Sequence, residues 1–199
     1  INSAFGNDVP IGKQLIYCGN AEDFFADFVT VNNFKIISKI SADTMIRFRK
    51  NKDFTLAGIM VPIKDMTQPV IVKLKKDSYI YEIGKGFIGK KRQLEARFNN
   101  SPLALYSIFD REQSAPVFAV GNTVRGKLLD FKLPVLTSGR IYRLELFNPA
   151  GEKVYTCIFD RAEKAPRRPI AYTESTGIWS AKLTDVATNL NKTVKFEVK

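Results

Sequence analysis

From Phe34 to Val198 the chain is written in one idiom: short segments of β-branched and aromatic residues, each cut off by Asn, Asp, Pro or Gly. "FKIISKI", "MIRFR", "FTLAGIMVP", "VIVKLK" and "SYIYEI" fill the first half, and "LALYSIF", "VFAV", "VRGKLLDFKL", "IYRLELF", "KVYTCIF", "GIWSAKLTD" and "TVKFEV" fill the second. Such residues suit a pleated, half-buried surface, and the segments are too short for a typical helix. In "MIRFR" the alternation is clean, with Met45, Arg47 and Arg49 on one side and Ile46 and Phe48 on the other. That is how a strand with one wet face reads. The expectation is an all-β chain of sandwich type, since strands recur at the spacing such folds use.

Within this frame the turn residues have defined jobs. "NPAGEK" reads as a hairpin loop in which Gly151 supplies a positive φ, and "IGKGFIGKK" as a glycine-punctuated turn between strands. Ahead of Phe34, "FGNDVPIGK" is irregular, "QLIYC" is a short strand, and "NAEDFFADFV" offers Asn20 as a cap with Asp23 three positions on. At most one short helix, near residues 21–29, is expected there. A chain of 199 residues lies between one large β domain and two ordinary ones. "FNNSP" at residues 98–102 is the best boundary, giving two packed β-sandwich domains, 1–100 and 101–199.

What is missing narrows the chemistry. The chain has no His, so nucleophile arrangements that depend on it and the usual His-containing zinc sites are unavailable. It carries neither a P-loop nor a dinucleotide fingerprint. Carboxylate pairs remain, with Asp110, Asp160 and Glu174 as the candidates for a hydrolase. Cys18 and Cys157 are the only cysteines. They are too few for a disulfide framework and wrongly spaced for zinc, which leaves two buried thiols or one long-range bridge. No cofactor or metal is expected. No apolar run approaches the ~18–20 residues that span a bilayer, so no transmembrane segment is expected. The start at Ile1, with no leader in front, suggests a mature or excised form.

The formal charge of +11 raises the question of an anionic partner. In sequence the charge is spread evenly, with 16 Lys+Arg against 10 Asp+Glu in residues 1–100 and 15 against 10 in residues 101–199. The densest groups are Lys73, Lys75 and Lys76, then Lys90, Lys91 and Arg92, then Arg161, Lys164, Arg167 and Arg168. Each reads as a wet strand face or a turn, so no nucleic-acid partner is expected. An acidic polysaccharide or a cell surface fits the charge equally well.

One echo needs weighing. "IFDREQSAP" at 108–116 returns fifty residues later as "IFDRAEKAP", but the flanks differ. Two strands that leave a sheet alike, each with Asp and Arg where the chain turns, account for it without a shared site.

The C-terminal half carries a resemblance. "GRIYRLELFNPAGEKVYTCIFD" followed by "GIWSAKLTDVATNLNKTVKFEV" resembles the closing Ig-like or fibronectin-like β-sandwich of large secreted bacterial polysaccharide-active proteins, including those with a β-galactosidase-like catalytic region. There a Gly-x-Trp opens a strand, the Trp plugs the space between sheets, and an Asp-Val-x-Thr-Gly-like turn leads into the last strand. In this chain Asn189 stands where the Gly is usual, and Asn also accepts positive φ. "YEIGKGFIGKKRQLEARFNNSPLALYSI" looks like the segment that precedes that sandwich.

The resemblance implies a non-catalytic structural or interaction module of a secreted, periplasmic or cell-surface bacterial protein, with polysaccharide or another protein domain as partner. Its alternative is a carbohydrate-binding module accessory to a polysaccharide-degrading system. For that alternative the aromatic candidates are Tyr79 and Tyr81, on one face of their strand with Phe87 nearby, and the single Trp179.

Overall fold

The computed structural model describes residues 16–18, 30–31, 34–38, 42–133, 139–160 and 167–199. It is all-β: among the described residues the regular structure is fourteen strands and one 3-10 turn at Ile63–Asp65. The helix anticipated near residues 21–29 lies outside the described residues. The chain forms two compact units, the first comprising Ile1–Glu82 and Phe87–Glu112, the second Ile83–Gly86 and Gln113–Lys199. "FNNSP" is therefore the lead-in to a strand of the first unit, and the change of unit follows Glu112.

The first unit is a single eight-stranded sheet. Its strands are β1 (Ile16–Cys18), β2 (Thr30–Val31), β3 (Phe34–Ile36), β4 (Met45–Lys50), β5 (Phe54–Met60), β6 (Val70–Glu82), β7 (Gly86–Ala96) and β8 (Leu103–Phe109), in the order β1-β4-β5-β8-β6-β3-β2, with β7 also on β6. The pairs β1–β4, β2–β3, β3–β6, β4–β5, β5–β8 and β6–β8 are all antiparallel. β6 is the long element. It pairs with β3 through Val72–Leu74 and with β8 through Tyr79–Glu82, so its two halves serve different stretches of the sheet.

The sheet curls over its own core. Phe34, near one end of the strand order, stacks on Phe48, near the other, with ring centroids 4.1 Å apart and planes 6° from parallel. The inward residues Ile46, Ala57, Ile59, Val72, Leu74, Ile80, Leu94, Ala104 and Tyr106 are buried. Each large aliphatic side chain taken wholly out of water contributes about 1.5–3 kcal/mol, which is what holds the curl closed.

The second unit has two layers. Strands β11 (Tyr142–Phe147), β12 (Lys153–Phe159), β13 (Gly177–Asp185) and β14 (Asn191–Val198) form a sheet in the order β12-β11-β13-β14, and β9 (Ala119–Val120) pairs with β10 (Phe131–Lys132) in a small ribbon. Alternate residues point inward: Leu144 and Leu146 on β11, Trp179, Ala181 and Leu183 on β13, Phe196 and Val198 on β14. They meet Phe118, Leu129 and Ile170, with Val120 and Phe131 packed alongside. Trp179 is 1% exposed, and its indole N–H donates to the Ser175 carbonyl at 2.9 Å, so the buried ring has its one polar group satisfied.

The hairpin turns follow the sequence chemistry. Gly151 has φ 81° in the β11–β12 loop, where Asn148 Oδ1 accepts the Glu152 N–H at 2.9 Å. Between β13 and β14 the turn is organised by Asp185, 1% exposed. Its Oδ1 accepts the Ala187 N–H at 3.0 Å, and its Oδ2 accepts from Arg140 Nη1 at 2.6 Å. Asn189 closes this turn with φ 58°, the left-handed conformation its place in the turn asks for. Its side-chain amide donates to the Gly84 carbonyl at 3.2 Å.

Candidate functional site

The carboxylates named as hydrolase candidates do not form a shared centre. Asp110 belongs to the first unit, where it is exposed and ion-paired to Lys76 at 3.0 Å. Glu174, in the second unit, takes the Arg168 guanidinium on one oxygen and the Ala171 N–H, at 2.6 Å, on the other. Asp160 follows the end of β12 and is half-buried. Glycoside chemistry needs two acids poised across a bond at roughly 5–10 Å, whereas Asp110 and Glu174 are spent on local ion pairs. Among the described residues no group of three or more Cys, Asp or Glu is placed to hold a metal ion.

The structure brings two of the three aromatic candidates together and separates the third. Tyr79 and Tyr81 share the face of β6 opposite the main core, and Phe87 on β7 lies against both, with centroids 6.2 Å and 5.1 Å away. Tyr81 meets Phe109 edge-on at 5.5 Å, and Phe109 stacks on Phe54 at 5.1 Å. This chain of five rings grades from buried to open, since Tyr81 and Phe109 are each 1% exposed, Tyr79 is half-buried and Phe87 is 51% exposed. Trp179 and Tyr81 thus offer no ring face to a ligand. The first plugs the second unit's core, and the second supports Phe87 from beneath. The accessible rings are Phe87 and Tyr79.

The same hairpin gathers charge that the sequence scatters. β6 carries Lys73, Lys75 and Lys76, β7 carries Lys90, Lys91 and Arg92, and all six are exposed. On β6 the cause is alternation: Val72 and Leu74 turn into the core and leave Lys73 and Lys75 outside. The two strands are tied by a hydrogen bond from Arg92 Nη2 to the Lys75 carbonyl at 3.0 Å. The Lys90 ammonium lies 5.4 Å from the centre of the Tyr79 ring, within cation–π range. Basic side chains and open rings therefore occupy one continuous stretch of β6–β7. Thirteen positions, 77–89, lie between the two clusters in sequence, and the pairing of β6 with β7 joins them. Phe87 was legible as a neighbour of Tyr79 and Tyr81, but Arg92 and Lys90 gave no sequence signal of belonging with them.

Two further features are local. A groove of about 360 Å³ in the first unit is lined by Met66, Thr67, Pro69, Arg97, Phe98 and Asn99, with the Arg97 guanidinium held by Glu95 at 2.6 Å. In the second unit Arg168 lies over the Tyr155 ring at 5.1 Å, beside the free thiol of Cys157. Burial, and then the hydrogen bond with Cys157, push the Tyr155 phenol above its ordinary range, with Arg168 opposing. Against this geometry the comparisons are silent: no family model matches the chain, and no curated protein matches it.

Proposed function

We propose that this chain is a non-catalytic interaction module of the cell exterior that holds a polysaccharide against the β6–β7 hairpin of its first unit. The observation that carries the reading is Phe87, half open to solvent, stacked on Tyr79 and tilted against Tyr81 outside the main core. An apolar ring that the main core does not use is the kind of platform on which a sugar face packs. The engagement of Asp110 and Glu174 in local ion pairs supports binding over hydrolysis. The Ig-like reading of the second unit is supported by its four-stranded antiparallel sheet, the facing ribbon and the Trp179 plug, and gives that unit a structural role.

Titration of the full chain against a panel of neutral and acidic glycans tests the proposal. Phe87→Ala and Tyr79→Ala should each weaken binding about 3- to 10-fold, the worth of an aromatic stack, while a charge-neutral change on the second unit, Thr193→Ala, leaves it unchanged. Wild-type affinity in both ring variants, or no glycan bound at all, would overturn it.

A further inference from the structure

Resting on that reading, we infer that the polysaccharide is a polyanion, bearing sulfate, phosphate or uronate groups on successive sugars, and that Lys73, Lys75, Lys90, Lys91 and Arg92 read those charges. None of these five takes part in an ion pair among the described residues, whereas Lys76 is already matched by Asp110 at 3.0 Å and Arg97 by Glu95 at 2.6 Å. A cluster of cations left uncompensated while its neighbours are paired raises the local potential and favours an anionic ligand.

The spacing suits a polymer better than a small anion. Lys73 and Lys75 lie on one face two residues apart, about 6.7 Å along the strand, and β7 runs about 4.8 Å to the side. One carboxylate or phosphate would meet only one or two of these cations. An extended chain carrying charge at each sugar meets Lys73, Lys75 and Lys91 along the two strands, with Lys90, drawn over the Tyr79 ring, and Arg92, drawn to the Lys75 carbonyl, at its border. The rows are also held in place, since Arg92 is anchored to the Lys75 carbonyl and Lys90 rests over Tyr79. That anchoring lowers the ordering cost that long side chains normally impose on binding.

Nucleic acid fits less well. Single strands are bound by successive aromatic platforms, but of the five rings here Tyr81 and Phe109 are covered and Phe87 alone is mostly open. A free two-stranded ribbon can enter a duplex groove. β6 is not free, because it is paired to β3 and β8 and buries alternate residues in the core.

The test uses the full chain with four probes: heparin as a sulfated polymer, polygalacturonate as a carboxylated one, dextran as a neutral one, and single-stranded DNA. Heparin or polygalacturonate should bind tighter than dextran and DNA, with log affinity falling against log salt at a slope of about −3 to −4, close to five released counterions. Lys73→Gln/Lys75→Gln/Lys91→Gln should lower that affinity by about 100-fold and flatten the slope, whereas Lys182→Gln/Lys195→Gln on the second unit should change neither.

Each contrary result has its own meaning. Dextran binding that depends on Phe87 but not on salt would leave the polysaccharide reading standing and overturn the polyanion. Tighter binding of DNA than of any acidic glycan would overturn it in favour of a nucleic-acid partner. Equal loss in the second-unit control would overturn it as non-specific attraction to a basic protein. Failure of every glycan would overturn the function reading itself.

Discussion

Replacing Asp185 by Asn should unfold much of the second unit's margin of stability. The side chains of Arg140 and Asp185 are 9% and 2% exposed, and Nη1 meets Oδ2 at 2.6 Å. Asp185→Asn keeps the volume of the side chain but removes the carboxylate that meets Arg140 Nη1. Gln113 Oε1 would still accept from Nη2 at 2.5 Å, but a neutral amide does not balance a guanidinium. Stranding one charge of a buried pair costs about 3–5 kcal/mol. A unit of this size has in all about 5–14 kcal/mol. With a urea dependence of about 1–2 kcal/mol per molar, the midpoint should fall by roughly 1.5–5 M.

Trp179 reports the transition directly, because it is the chain's only tryptophan and lies on β13 with Asp185. A shift below about 0.5 M would refute the argument. A second variant separates lost charge from lost shape: Arg140→Met/Asp185→Leu removes both ions, so it should recover most of the loss. If the double variant is as unstable as the single effects added together, stranded charge is not the cause.

Alkali should weaken the first unit. Burial, then the nearby charge of Glu82, raises the Tyr106 phenol to about 12, with a backbone hydrogen bond to Arg97 acting the other way. An unfolded tyrosine ionises near pH 10. Because the folded value is the higher one, this contribution is intact below pH 10 and is lost as pH climbs from there through about 12. Denaturant midpoints followed by far-ultraviolet dichroism should show the decline, and Tyr106→Phe should flatten it. An equal decline in the variant would assign the effect to other groups. Trp179 should emit as a dry indole and resist acrylamide quenching, while readily quenched emission would mean that the core around it is open.

The strands were legible because alternation is a local property. "LALYSIF", "KVYTCIF" and "GIWSAKLTD" became β8, β12 and β13 residue for residue, and Asn189 and Gly151 took the positive φ their turns required. Punctuation was over-read. "VIVKLK" and "SYIYEI" are one strand, since Lys75, Lys76 and Asp77 stay in water without leaving the sheet. In "IGKGFIGKK" β7 starts already at Gly86, and Gly86 and Gly89 carry φ 106° and 137° inside it. Glycine marked a distorted edge strand there, and the turn was shorter than its letters suggested.

The echoed "IFD" shows where sequence stops informing. Both copies end a strand, but Ile108 is 7% exposed on β8, flanked by β5 and β6, while Ile158 is 65% exposed on β12, the last strand of its sheet. Identical letters met opposite surroundings because strand order is decided by distant pairings. The basic surface was hidden for the same reason: charge counted along the chain cannot register that β6 and β7 lie side by side.

The second unit is assembled from two stretches of chain, and Ile83–Gly86 arrives some thirty residues ahead of the rest. Gly86 sits with its missing side chain 3.7 Å from the Thr188 carbonyl, and Gly84 gives its own carbonyl to Asn189. A fragment cut at Gln113 would therefore be born with a gap at the tip of its last hairpin. Supplying the tetrapeptide in trans, or grafting it onto the fragment's start, would be the way to make that half stand by itself.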